Sequence, residues 1–366
     1  MLRLKTGFKY YLSLILLDLL RKFNKMKKIC FLLFIGIKSL VLWGQIDSNV
    51  IGIMFYNTEN FFDPADDSLT NDDSYTIEGM NRWNYKKMYH KRNQIAKVIL
   101  SINGWEPPAL IGFAEIENDL VLDALIRHPG LKKRGYQYIH FESPDSRGID
   151  VALLYRNDLV EIITSYPISV IFPFEPQSKN REILYASVQL PSKDTLHLFV
   201  NHWTSRFGGS GATVLKRKYY AQVLKNKVDS LLLINQESNI VIMGDFNDYP
   251  KDNSIFNILN AKERTDSSAS LINLMLEYSV FANIGTHKNE EFWGCLDQFI
   301  ISKSLIKHES NWIISEENRI YKPNFLVVPD EKNGGDKPFR TFLGFQYLGG
   351  FSDHLPIYLR IKMNRK

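Results

Sequence analysis

From Val50 onward, short apolar runs alternate with stretches of helical spacing, and polar or glycine-bearing turns separate them. Val50 to Phe55, Ala109 to Phe113, Gly148 to Tyr155, Ile183 to Leu190 and Leu196 to Val200 read as strands. Asn239 to Met243 predicts a strand buried on both faces and stopped by Gly244, and Leu296 to Ile301 and Leu355 to Ile361 complete the set. Apolar residues recur at helical period over Tyr85 to Ile102, which predicts an amphipathic helix, and Val214 to Leu233 also reads as a helix. Many strands and few helices in one domain predict an α/β fold in which two sheets pack face to face with helices outside. Two stretches carry no element: Asp63 to Gly79, rich in acids, and Asn318 to Gly350, rich in Gly, Pro and aromatics. Loops this long in a compact domain are usually functional or disordered.

The first 44 residues follow a different pattern. Met26-Lys27-Lys28 precedes an apolar run from Ile29 to Ile37, and Lys38 separates this from Ser39-Leu40-Val41-Leu42-Trp43-Gly44. A basic start before a short apolar run predicts a secretory signal peptide over residues 26–44, with Met26 as the true start and export to the periplasm or the exterior. A membrane anchor through residues 29–43 is the alternative, although that run is shorter than a spanning helix needs. Residues 45–366 form the catalytic domain on this reading.

Charge sharpens the division. The whole chain carries +5 at pH 7, but residues 1–44 hold nine Lys or Arg against Asp18 alone, a local +8 that leaves the remainder at −3. The domain therefore has no overall basic balance with which to grip nucleic acid, and an anionic substrate must be attracted locally. Of the two cysteines, Cys30 falls in the leader, so the domain has no internal disulfide. The acids of the first loop, Asp63, Asp66, Asp67, Asp72 and Asp73, miss the spacing and central glycine of a calcium-binding EF-hand and read as a solvated loop.

Chemistry-bearing residues recur where strands end. Asn57-Thr58-Glu59 follows the first strand, Glu115 the second, and Arg147-Gly148-Ile149-Asp150 precedes the third. Asn201-His202-Trp203, Gly244-Asp245-Phe246-Asn247, Leu296-Asp297-Gln298 and Ser352-Asp353-His354 come later in the chain. Gathered at one rim, Glu59, Glu115, Asp150, Asp245, Asp297 and Asp353 would repel each other and any phosphate, a conflict that a hard cation relieves. Each residue also has a structural reading. Asn57, Asn247 and Asp245 suit turns and caps, Ser352-Asp353 suits a turn before Pro356, and His197 lies mid-strand without a motif.

At these residues, from about Val50 to Ile361, the sequence resembles the endonuclease/exonuclease/phosphatase superfamily, with the motifs in the family's order. That group contains deoxyribonuclease I-like nucleases, apurinic endonucleases, inositol polyphosphate 5-phosphatases and neutral sphingomyelinases. The resemblance implies a four-layer α/β/β/α sandwich of two mostly antiparallel sheets, and a hydrolase in which an activated water attacks phosphorus. It implies Mg²⁺, with Mn²⁺ or Ca²⁺ as substitutes, held by Glu115 with Asn57, Glu59 and Asp353. His354 would activate the water or contact the phosphoryl oxygen with Asp353 orienting its ring, and Asp245 would orient or deprotonate the water. Asn57 and Asn247 would contact the phosphate, Asp297 would support a catalytic histidine or the metal, and His202 would be a second catalytic histidine oriented by Asp150.

Arg206 and Arg340 are further candidates for phosphate contacts, because a guanidinium fork matches a pair of phosphate oxygens. For Arg206 a surface salt bridge is an equal alternative. The expected substrate is a phosphoester in nucleic acid, an inositol phosphate or a phospholipid head group, and no obligate protein partner is implied. A catalytically inactive binding module on the same fold is the non-enzymatic alternative, and the retention of Glu115, Asp245, Asn247, Asp353 and His354 argues against it.

Overall fold

The computed structural model describes residues 49–364 except 103–105, 207–208, 281–283 and 316–318, together with Lys22, Phe23, Lys25 and Lys27. The chain divides into two compact units, Met1–Asp47 and Ser48–Lys366. Apart from Lys27, the signal peptide, its cleavage point and the alternative anchor lie outside the described residues.

Two large sheets organise the second unit. The first contains β1 (Val50–Phe61), β2 (Leu110–Ile116), β3 (Tyr136–His140), β4 (Asp150–Arg156), β14 (Trp312–Ile314), β15 (Arg319–Ile320) and β20 (Ile357–Met363). Their order is β14-β20-β1-β2-β4-β3, with β15 also paired to β20. The second contains β5 (Glu161–Ile168), β6 (Ile183–Gln189), β7 (Thr195–His202), β8 (Asn239–Asp245), β9 (Ala261–Lys262), β10 (Leu271–Asn273) and β13 (Asp297–Ser302), in the order β5-β6-β7-β8-β13-β10-β9. Pairing is antiparallel except at β1–β2, β7–β8 and β9–β10. Short hairpins form from β11 (His287–Asn289) with β12 (Phe292–Gly294), β16 (Val327–Pro329) with β17 (Asp336–Pro338), and β18 (Phe342–Leu343) with β19 (Gln346–Tyr347).

The period-2 pattern explains the layering. On β1, Ile51, Ile53 and Phe55 face the space between the sheets, where Leu196, Leu198 and Val200 of β7 and Val241 and Met243 of β8 meet them. Met54 and Tyr56 point the other way, against Met88, Ile95 and Ile99 of helix α1 (Tyr85–Ser101) and Val121 and Leu125 of α2 (Asp119–Ile126). On the far side, Phe199, Ile240 and Ile242 pack against Tyr220, Leu224 and Val228 of α3 (Ser210–Ile234). The four layers expected from the resemblance are therefore present, and three apolar cores separate them.

Several elements differ from the expectation. The first strand runs on to Phe61, α2 and the edge strands β3 and β5 carried no clear signal, and the stretch from Asn318 to Gly350 is largely short hairpins. On β5 both faces are partly open and Pro167 interrupts the donor row, which suits an edge and erases the apolar alternation. His197 is structural: its Nδ1 lies 2.8 Å from the Tyr185 hydroxyl.

Asn118 caps α2, its side chain accepting from the N–H of Leu120 and of Val121 while its amide donates to Asp63 at 2.8 Å. Asn118→Ala is expected to cost about 1–2 kcal/mol, read from urea unfolding, because it removes a cap and a link to the acidic loop. An unchanged unfolding midpoint would show that the cap contributes nothing.

Candidate active site

The site forms on the rim where β1, β2, β7 and β8 end and β13 begins. The parallel pairs place Asn57 opposite Ala114 and His202 opposite Asp245, and the antiparallel β8–β13 pair places Asp297 opposite Asp245. Irregularities fall where the functional side chains must leave the sheet. Register shifts between Ala114 and Ile116 and between Asn57 and Phe61, and Glu115 has φ +62, Glu59 +53 and Asn247 +51. Left-handed backbone at a non-glycine residue costs roughly 1 kcal/mol or more; the irregularities re-aim Glu59 and Glu115 away from the alternation of their strands, and Asn247 turns just beyond the end of β8.

Asp245 is the hub. Its Oδ2 accepts from Asn57 Nδ2 at 3.0 Å and lies 3.7 Å from His202 Nε2 and 3.8 Å from His354 Nε2. Its Oδ1 accepts from the backbone N–H of Asn247, whose amide donates to the Trp203 carbonyl at 3.1 Å. Burial is the main cause that pushes the Asp245 carboxyl up to about 6, with the His354 charge opposing the rise. Glu115 lies beside it, within 3.4 Å of Asn57 Nδ2 and 3.9 Å of His202 Nε2, and its other oxygen accepts from the Asn60 N–H.

The two histidines are driven apart. Burial alone would lower the basicity of His354, but Asp297 and Asp245 more than offset it and hold the imidazole well above its ordinary range. Burial pushes His202 well below that range, and the charges of Arg181 and Arg147 add to the effect. One imidazole held above its ordinary range and one held below it face the same carboxylate, the kind of separation that assigns acid and base roles.

The structure corrects two expected contacts. The ring of His354 is oriented by Asp297, with Nδ1 to Oδ2 at 2.7 Å, whereas Asp353 receives Arg340 Nη2 at 2.9 Å. Asp297 can do this because β13 runs antiparallel to β8 and delivers it from the side, whereas Asp353 is adjacent to His354 in sequence and points elsewhere. Asp150 does not orient His202: among the described residues neither its Oδ2 nor His202 Nδ1 has a hydrogen-bond partner, and Asp150 faces His140. Arg206 takes its salt-bridge alternative, on Asp252 at 2.7 Å and Asp248 at 3.3 Å, with its guanidinium 4.3 Å from the centre of the Tyr249 ring.

The expected metal set separates into two pairs. Asn57 and Glu115 touch each other, while Glu59 and Asp353 share Arg340, whose Nε lies 3.3 Å from Glu59 Oε1. The second Glu59 oxygen accepts from the Thr341 N–H at 2.6 Å, so both of its oxygens are engaged away from Glu115. A carboxylate-rich centre remains that fits a divalent ion. Asp245, Asp297 and His354 bring ligand atoms within 4.8 Å of one another, and Asp297 Oδ1 is buried without a hydrogen-bond partner.

Residues without a sequence motif complete the site. His287 on β11 lies 4.9 Å ring to ring from His354 and bridges it through the backbone. Lys91 is fully buried and donates to Thr341 Oγ1 at 2.5 Å and to the Phe351 carbonyl at 2.6 Å, tying α1 to the segment that carries Arg340. Its signal was available: Lys91 interrupts the apolar stripe Met88, Ile95, Val98, Ile99 on the inward face of the helix. Asp248, one residue beyond Asn247, anchors buried Arg217 at 2.6 Å.

With this geometry in place, a family model described as the endonuclease/exonuclease/phosphatase family matches residues 52–363. The chain belongs to the endonuclease/exonuclease/phosphatase family. Members of this family are phosphoester hydrolases and generally use divalent metals. Solved structures of similar fold include ANGEL2, a 2′,3′-cyclic phosphatase, with a TM-score of 0.55 at 13% identity over 86% of this chain and 96% of that one. D. rerio TDP2 with a single-strand DNA product gives 0.51 at 13% over 86% and 99%, and a mannosyl-6-phosphatase of Bacteroides thetaiotaomicron VPI-5482 gives 0.50 at 16% over 85% and 99%. At these identities the likeness concerns the fold. No curated protein sequence matches the chain.

Proposed function

We propose that this family member is a divalent-metal-dependent phosphodiesterase or nuclease in which water attacks phosphorus. The observation that carries this reading is the convergence of Asn57, His202 and His354 on Asp245 Oδ2, at 3.0, 3.7 and 3.8 Å. A carboxyl held near 6 by burial suits a base working at neutral pH, so Asp245 takes the proton of the attacking water. His354, kept protonated against Asp297, donates Nε2–H to the phosphoryl oxygen on which charge builds. Neutral His202 offers a second donor beside Asp245 Oδ2, the Asn57 amide holds the carboxylates of Asp245 and Glu115 in place, and the Asn247 amide acts beside them. The water oxygen bonds to phosphorus as the ester P–O bond breaks and the alkoxide departs.

Glu115 and Asn57, with the buried unpartnered Oδ1 of Asp297, would hold Mg²⁺, with Mn²⁺ or Ca²⁺ as substitutes, and such an ion would supply Lewis-acid neutralisation of the phosphoryl oxygens. Arg340, partly exposed above Glu59 and Asp353, is a cation at the rim for a substrate phosphate.

Assay with Mg²⁺, Mn²⁺ or Ca²⁺ and with a chelator, on DNA, RNA, a bis-aryl phosphodiester, inositol phosphates and sphingomyelin, tests the proposal. Chelator is expected to abolish turnover and Mg²⁺ to restore it, with the diester or nucleic acid arms the most active. Turnover that survives chelation sinks the mechanism, and activity confined to inositol phosphates or sphingomyelin transfers the assignment to a phosphatase or lipid head-group enzyme. The leader supports export, and an N-terminus at or near Gln45 on the secreted protein is the expected result.

A further inference from the structure

A second cluster of ligating side chains lies outside the centre just described. His140 ends β3, Asp150 begins β4, and Glu142 sits in the connection between them. The side chains of His140 and Asp150 are each only 2% exposed, and His140 Nε2 and Asp150 Oδ2 face each other at 3.5 Å. Both atoms are buried and neither has a hydrogen-bond partner.

That separation is informative. A charge-assisted N–H···O contact settles near about 2.7–2.9 Å, and this buried pair stands wider, at 3.5 Å. Two donors on one tetrahedral ion, with bonds of about 2.0–2.2 Å, stand about 3.3–3.6 Å apart. The surroundings fit the second geometry. Glu142 brings a carboxylate oxygen so that the three ligand atoms lie within 4.8 Å of one another, and its exposed side chain, now 4.0 Å from Nδ1, must swing towards Nε2 to complete the set. Asp119 Oδ1 lies 3.0 Å from His140 Nδ1, the far ring nitrogen, as in a carboxylate–histidine–metal arrangement. The N–H of Ser143 donates to Asp150 Oδ1 at 3.1 Å and leaves Oδ2 free to turn inward.

We propose that His140, Glu142 and Asp150 form a second, structural cation site that takes Zn²⁺, with water as the fourth ligand and Asp119 orienting the imidazole. One imidazole and two carboxylates are a donor set for Zn²⁺ rather than for the all-oxygen shells of Mg²⁺ or Ca²⁺. The ion clips residues 141–149 at their two ends. That connection carries Asp145, which lies 3.5 Å from Arg181, and Arg181 in turn donates to the backbone carbonyls of His202 and Trp203. The clip therefore steadies one wall of the catalytic rim without ligating the catalytic ion.

The test is metal content. The protein is stripped with chelator, reloaded with Zn²⁺ or Co²⁺, freed of excess metal and analysed by plasma mass spectrometry, with Co²⁺ visible bands reporting low coordination. Asp150→Asn is expected to hold one equivalent fewer than the wild type and to lose those bands, while Glu115→Gln keeps them. Asp119→Asn should bind the ion about 10–100-fold more weakly. Glu142→Gln, at an exposed side chain that does not threaten folding, should weaken it about tenfold or more. If Asp150→Asn and Glu142→Gln retain the wild-type equivalents and spectrum, or if the wild type binds no Zn²⁺ beyond what Glu115→Gln loses, the cluster is an ion pair only and the proposal is overturned.

Discussion

His354→Ala is expected to lower kcat/KM by about 10²–10⁴-fold, the usual contribution of a positioned acid–base group. His354 Nδ1 is fixed to Asp297 at 2.7 Å, which aims Nε2 at the point where Asp245 Oδ2 stands 3.8 Å away. Alanine removes the donor and leaves Asp297 and Asp245 as buried carboxylates on facing strands without the cation between them. Asp297→Asn should cost nearly as much, because the ring loses its partner and its charge. The double replacement should cost little more than His354→Ala alone, since groups that act as a unit are far from additive. Steady-state kinetics on a bis-aryl phosphodiester checks this. Full activity of His354→Ala contradicts the assigned role, and additive losses in the double variant contradict the pairing with Asp297.

Asp248→Ala is expected to reduce folding stability by about 3–5 kcal/mol, measured by urea unfolding. Arg217 has no exposed side-chain surface, and Asp248 receives its Nε at 2.6 Å as well as Ser254 Oγ at 2.5 Å. Removing the carboxylate takes an anionic partner at 2.6 Å from a buried guanidinium, whose contacts to Thr204 and Thr213 are to neutral oxygens and do not replace that charge. The loss propagates to the site, because Asp248 follows Asn247 and its carbonyl accepts from Gln298, the neighbour of Asp297. Arg217→Met combined with Asp248→Leu should recover part of the stability, as apolar replacement of a buried pair often does. A change of under about 1 kcal/mol for Asp248→Ala would mean that Arg217 is satisfied without it.

Much of this arrangement is legible before folding, and the limits follow physical lines. The two-sided burial of β1, β7, β8 and β20 imposes an apolar pattern that any reading of the chain recovers. Edge strands such as β5, open to solvent on both faces, impose no such pattern. Lys91 was marked by its position in an apolar stripe, whereas His287 in a three-residue strand had no local signal.

The sequence by itself determined the layers, the strand ends at which chemistry sits, and the identity of Asn57, Glu115, His202, Asp245, Asn247, Asp297 and His354 as the residues to examine. These follow from local pattern and from residue type, which a linear chain carries in full. Only the tertiary structure decided who pairs with whom. Asp297 rather than Asp353 holds His354, Arg340 gathers Glu59 and Asp353, and Asp150 turns to His140 instead of His202. Those choices depend on strand register and on left-handed backbone at Glu59, Glu115 and Asn247, which bring together residues up to hundreds of positions apart in the chain. Orientation at that range is set by packing of the whole sandwich, and no local stretch of sequence encodes it.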